Sequence, residues 1–327
     1  MGGQGMKRVV TGGDLKQDAM RPADLLDGYL ERVGADIARL GLLLDGRARA
    51  CPACGGEGTV EFTRMGFPYH RCASCQSLFV SPLPSPERLA SYHVDGEAER
   101  FRREQVLPLT ADVRTRHASA PRAHWVVGTA TARLGARPVF ALWGAHSSRF
   151  IELLNTSGSV VGGPGDGVMP PPGQTLDAVI VSEVLERAAD FQGDLHRCRT
   201  ALRPGGLVFV TTMSGDGFEV RMLGPRMRSL VPPVHLQLLS RAGWQAALSR
   251  EGFTLVEYST PGELDVQAVA DSCRQNAALR LPPILDELVR HDDAQVGRAF
   301  QELLQQACLS SHVQLVAEVR QADESPL

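Results

Sequence analysis

Four of the seven cysteines fall into two Cys-x-x-Cys pairs, Cys51 with Cys54 and Cys72 with Cys75. Each short knuckle presents two thiolates while backbone amides hydrogen-bond the sulfurs, and four thiolates in a tetrahedron suit Zn²⁺. Four protein ligands leave no position for water or substrate, so the expected role of the metal is structural. The stretch between the pairs can form a hairpin but is too short to build its own core, and metal binding on the order of 10 kcal/mol can supply its folding free energy. His70, two residues before Cys72, is then left to packing. Nothing like a redox strand–helix setting surrounds the pairs. The odd cysteine count and an amino terminus without an apolar core segment argue against disulfides. Cys198, Cys273 and Cys308 read as small buried hydrophobes.

The second concentration of chemistry lies in residues 182–187, SEVLER, with Glu183 and Arg187 as its candidate site residues. The elements that must position it are legible around it. Residues 178–181 and 207–212 are wholly apolar runs, as strands buried on both faces of a parallel sheet are. Between them Phe191, Leu195, Cys198 and Leu202 recur at helical spacing, and Pro204, Gly205 and Gly206 stop that helix. A strand–helix–strand unit of this kind belongs to a doubly wound α/β domain, whose ligands bind beyond the carboxyl ends of the strands.

LDAVIVSEVLER followed by LRPGGLVFVTT resembles the fourth and fifth strands of class I S-adenosylmethionine (SAM) dependent methyltransferases, with Arg187 where that family carries His. The zinc-ribbon spacing followed by QSLFVSPLPSPERLASYH is similar to a subset of bacterial members that begin with a zinc ribbon, whose substrates are often sugar nucleotides, polysaccharide intermediates or other small metabolites. PPVHLQLLS resembles the family's segment ahead of its sixth strand. The resemblance implies that His235 sits over the acceptor as a base or hydrogen-bond partner, with Arg187 nearby, and that Gly144 and Glu183 line the cofactor. It also implies a Rossmann-like sheet in which residues 254–259 form the sixth strand and residues 312–319 the seventh, inserted antiparallel between the fifth and sixth.

Three parts of the implied cofactor site depart from the family's pattern. In VFALWGAHSSRFIELL, Leu142 takes the place of the acid that ends the first strand, and Gly144, His146 and Ser148 take the places of three glycines. After a second strand at 159–162, Gly163 or Pro164 stands where a carboxylate would accept from the ribose hydroxyls, and Asp166 comes too late. Residues 163–175 are too short and too rich in Pro and Gly for a helix and a third strand. Their coincidence implies weak or absent SAM binding in a fold that survives, with the edge strand lost or shortened.

Residues 21–44 carry Leu26, Leu30, Val33, Ile37, Leu40 and Leu44 at helical spacing, entered at Pro22, and read as one amphipathic helix packed on its own protein. Pro82, Pro84 and Pro86 make a stiff connector. Residues 97–137 read as polar, helical in parts, and covering the entrance to the fold. Residues 265–307 read as a helical insertion broken in two at Pro282 and Pro283, its stripe of Leu285, Leu288, Phe300, Leu303 and Leu304 serving as core or a face for a second copy. The expected organisation is therefore an amino-terminal helix (1–47), a zinc ribbon with its connector (48–92) and a methyltransferase-like domain (93–327).

A net charge of −3 gives no bulk attraction for nucleic acid or an acidic membrane, and the ribbon lacks a basic patch with interleaved aromatics. No stretch is long enough to span a bilayer, and the chain reads as cytoplasmic. Its expected partner is a small-molecule substrate or a protein. Two functions remain: a SAM-dependent methyltransferase with a degraded cofactor site, and a non-catalytic relative that serves as scaffold, regulatory partner or binder of another ligand.

Overall fold

The apolar runs on either side of SEVLER are strands buried along nearly their whole length. In the computed structural model, which describes residues 15–135, 137–161, 173 and 176–320, the strands are β1 (Gly58–Arg64), β2 (Phe67–Cys72), β3 (Leu78–Val80), β4 (Val139–Trp143), β5 (Ser159–Val161), β6 (Leu176–Ser182), β7 (Leu202–Met213), β8 (Gln237–Leu238), β9 (Phe253–Ser259) and β10 (His312–Val319). The larger sheet has the order β5-β4-β6-β7-β10-β9. Its first four strands are parallel, and β10 lies antiparallel between β7 and β9, as the resemblance implies. From β4 the chain moves outward to β5 and then returns to the other side as β6. The carboxyl ends of β4 and β6 therefore flank a topological switch point, the place where doubly wound sheets bind ligands.

The crossover helix Phe191–Ala201 begins at Asp190, whose carboxylate accepts from the amide of Gly193, and it buries Phe191, Leu195, Cys198 and Ala201. Leu202, expected on that helix, is instead the first residue of β7, paired with Leu176; Gly205 then turns at a φ of +72°. The expectation that residues 163–175 hold neither a helix nor an edge strand falls outside the described residues except for Gly173. Among the described residues, β5 is the sheet edge beside β4.

The ribbon forms a smaller sheet, β1-β2-β3-β8. Met65 and Gly66, both with positive φ, close the β1–β2 hairpin. β3 pairs with β8, which lies far downstream in sequence, through Leu78–Leu238 and Phe79–Gln237. The ribbon's Cys51, Ala53, Cys72 and Cys75 share one apolar cluster with Phe191, Trp244 and Leu248.

Helix Ala23–Arg39 starts after Pro22 and buries Tyr29, Val33 and Ile37. It ends five residues before the expected stop, because Gly41 turns left-handed at +61°. Leu44, read as part of the apolar stripe, is 78 % exposed. The insertion is three helices rather than two, Asp265–Gln275, Pro283–Arg290 and Ala294–Gln306. Pro282 and Pro283 make one break, and Asp293, which accepts from the amide of Gln295, caps a new start after the other. No helix among the described residues is long and apolar enough to cross a membrane.

Candidate functional site

The four cysteine sulfurs lie within 4.8 Å of one another. Cys51 Sγ is 3.6 Å from Cys75 Sγ, and Cys54 Sγ is 3.4 Å from Cys72 Sγ. A tetrahedral Zn²⁺ with Zn–S bonds of about 2.3 Å needs sulfurs about 3.8 Å apart, so the four fit such an ion. The two knuckles are built alike. The residue after each second cysteine, Gly55 or Gln76, has positive φ and donates its amide to the first cysteine's carbonyl. The amides of Gly56 and Cys75 point at Cys54 Sγ and Cys72 Sγ. His70 turns to the Gly58 carbonyl and stacks on Phe79.

A cavity of about 340 Å³ opens at the carboxyl edge of the large sheet. Its floor is the ends of β6 and β7 and the start of β10, contributing Glu183, Met213 and His312. Its walls come from helix Ala23–Arg39, from the helical run 97–134 and from the loop that carries His235. That run winds through two π-helical turns, Arg102–Val106 and Thr115–Ser119. Arg102, Val106, His117 and Ala118 of those turns face the cavity, a common use of such turns.

Three of the four candidate residues, Glu183, Arg187 and His235, meet in this cavity. Glu183 takes a left-handed φ of +55° directly after β6, which turns its side chain off the strand. The surrounding protein opposes its ionisation, though its side chain is 51 % exposed towards the open cavity, and Arg122, at 2.8 Å, with His312 outweighs that and holds the carboxyl well below the ordinary range. Arg187 Nε donates to the Glu183 carbonyl at 3.0 Å.

His235 is held from several sides. Its carbonyl accepts from the Tyr69 hydroxyl of β2 at 2.7 Å, and its Nδ1 accepts from the amide of Val231 at 3.0 Å. Burial pushes its pKa down to about 4. The ring is therefore neutral with its proton on Nε2, a hydrogen-bond donor rather than a base. His312 is held in the opposite tautomer, with its proton on Nδ1, since its Nε2 receives an N–H from Arg122 at 2.8 Å.

The group placed to take a proton is one the sequence reading passed over. Glu186 is 2 % exposed, lines the cavity and accepts from the Thr212 hydroxyl at 2.9 Å. Burial and then the nearby charge of Glu183 push its pKa up to about 7. The signal was the letter beside Arg187; what could not be read from the letters was its burial. The arginines 114 and 122 were likewise read as part of a polar cover.

Gly144 lies behind the cavity rather than in it. At its φ of +107° an added Cβ would lie 2.3 Å from the Ser182 carbonyl oxygen, so this glycine lets the loop after β4 cross the end of β6. Two residues on, the His146 ring packs on Phe150, centroids 4.7 Å apart, and its buried Nε2 has no partner among the described residues. Burial pushes its pKa down to about 4, with Arg122 and Glu183 within electrostatic reach. Ser147 caps the following helix by accepting from the amide of Phe150, and Ser148 opens it, exposed to solvent.

A doubly wound sheet in which β10 lies antiparallel between β7 and β9, with a cavity over the carboxyl ends of β6 and β7, is the class I SAM-dependent methyltransferase architecture. A family model described as a methyltransferase domain matches residues 80–258, more than half of the 327 residues, and the chain belongs to that family. No curated protein matches the chain. Among solved structures it is similar to Burkholderia thailandensis 1,6-didemethyltoxoflavin-N1-methyltransferase with bound 1,6-didemethyltoxoflavin and S-adenosylhomocysteine, at 14 % identity and a TM-score of 0.44, over 76 % of this chain and 98 % of that one. It is also similar to coclaurine N-methyltransferase bound to N-methylheliamine and S-adenosylhomocysteine, at 9 % identity and a TM-score of 0.35, over 60 % and 72 %. A third is the [4+2]-cyclase SpnF, at 12 % and 0.32, over 60 % and 80 %.

Proposed function

We propose that the chain transfers a methyl group from SAM to a small acceptor, a metabolite or a sugar or polysaccharide intermediate, held in the cavity where Glu183, Arg187 and His235 meet. That convergence over the carboxyl ends of β6 and β7 is the observation that carries the reading. SAM supplies an electrophilic methyl on a sulfonium, open to in-line attack by a bound nucleophile, so positioning and one proton acceptor suffice. Gly144 and Glu183 would line the donor. Arg187 and the Nε2–H of His235 orient the acceptor, and Glu186, with its pKa near 7, takes the proton the nucleophile gives up. The four cysteines hold a structural zinc that fixes the β8 segment and, through Tyr69, the backbone at His235.

A specific observation favours the second reading, a family member that binds another ligand without methyl transfer: the His146 ring packs into the loop where the family keeps bare backbone. Incubating the zinc-loaded protein with millimolar methyl-labelled SAM and a small-molecule extract separates the two. Methyl transfer predicts labelled low-mass product that Glu186→Gln reduces by about 10²-fold or more. Label that never leaves SAM, with the cavity occupied by another compound, supports the non-catalytic reading.

A further inference from the structure

Among the described residues, the cavity wall carries five arginines, Arg21, Arg102, Arg114, Arg122 and Arg187, and no lysine. Two of them are committed. Arg102 donates to both oxygens of Glu99, and Arg122 is shared between Glu183 and His312. The other three form no ion pair among the described residues. Arg114 and Arg187 are held through Nε alone, by Thr110 Oγ1 at 2.7 Å and by the Glu183 carbonyl at 3.0 Å. A guanidinium anchored at Nε presents its two terminal amino groups as a ready fork, the geometry that receives a carboxylate or phosphate bidentately.

The acids of the same wall answer these charges only in part: Glu183 is ionised but bonded to Arg122, with Arg114 in electrostatic reach. Asp265 is spent on Ser310, the amide of Ser311 and Gln301. Glu186 and Glu219 are buried, which drives both towards the neutral form, and Glu263 is engaged elsewhere. Burial disfavours the cationic form of Arg114; the charge of Glu183 works against that, and those of Arg21, Arg102 and Arg122 add to it, leaving the net shift downward. Like charges gathered in a half-enclosed wall are unfavourable unless an anion joins them.

We infer that the acceptor carries a carboxylate or phosphate group received by Arg21, Arg114 and Arg187, an inference that rests on the cavity being the acceptor site. Full-length zinc-loaded protein is titrated at low ionic strength with sodium pyrophosphate in one arm and sodium succinate in the other, followed by calorimetry. Saturable binding is expected in at least one arm, and the arm that binds tells phosphate from carboxylate. Arg114→Gln and Arg187→Gln should each weaken it by about tenfold or more. Arg149→Gln, an exposed arginine paired with Glu152 outside the cavity, should leave it unchanged. Arg114→Lys, which keeps the charge but not the fork, should fall between. Circular dichroism checks that each variant is folded. No saturable binding in either arm, or folded variants that titrate as the parent does, would overturn the inference. SAM is titrated separately: protein that binds the anion but not SAM keeps this inference and loses the methyl-transfer reading, and the reverse result does the opposite.

Discussion

Glu186 is the residue whose chemistry depends most on its surroundings. In an unfolded chain its carboxyl ionises near 4.5, whereas in the folded protein burial, then Glu183, push that to about 7. Folding therefore favours the protonated form. The stability this contributes is complete below pH 4.5 and is lost as pH rises through 7, when the folded protein must carry a buried charge. Glu186→Gln, which cannot ionise, should be more stable than the parent at pH 8 than it is at pH 5, by a differential of about 1 to 3 kcal/mol. Denaturant titrations at the two pH values check this, and an equal difference at both would show that Glu186 titrates normally. Among residues, Glu183, Arg187 and His235 were named through the resemblance, and the fold brings them to one cavity. Glu186 and the other arginines were not legible, since a carboxylate's burial and an arginine's lack of a partner are settled by side chains distant in sequence.

The ribbon, as an element, is joined to the rest of the molecule by more than its connector. β3 pairs with β8, Arg49 donates to the carbonyls of Val80 and Leu236, and Ser240 Oγ bonds the Cys75 carbonyl. The cysteine knuckles also pack against Trp244 and Leu248 of the helix that precedes β9. Cys51→Ser should lose the single bound zinc and lower the melting temperature of the whole α/β fold by on the order of 10 °C, not merely loosen the amino terminus. Metal analysis with thermal unfolding measures both, and full zinc retention would sink the ligand assignment. The sequence located the ribbon and eight of the strands by cysteine spacing, apolar runs and the resemblance, and did not place the three-residue β3. It passed over the two-residue β8, whose pairing partner lies more than 150 residues upstream and leaves no local pattern. Helix ends were misjudged where a single Gly41 or Asp293 decided them.

In the whole molecule a methyltransferase sheet keeps a cavity over the ends of β6 and β7, while the loop after β4 carries side chains where the resemblance implies bare backbone. Gly144 persists because the backbone of β6 crowds it, a reason independent of any ligand, whereas His146 fills its place with an imidazole packed on Phe150. One obstructed contact would cost about 1 to 3 kcal/mol, and a ribose carboxylate lost at Gly163 or Pro164, as the sequence implies, would remove about 1.5 to 3 kcal/mol more. Together they amount to about two to four powers of ten in affinity if they add. Restoring glycine at His146 and Ser148 should not recover binding by itself, since Ser148 is already exposed at the start of its helix and the carboxylate would still be absent. Calorimetric titration of the zinc-loaded protein with SAM tests this most directly: a dissociation constant in the millimolar range or weaker is predicted, and a micromolar constant would contradict it.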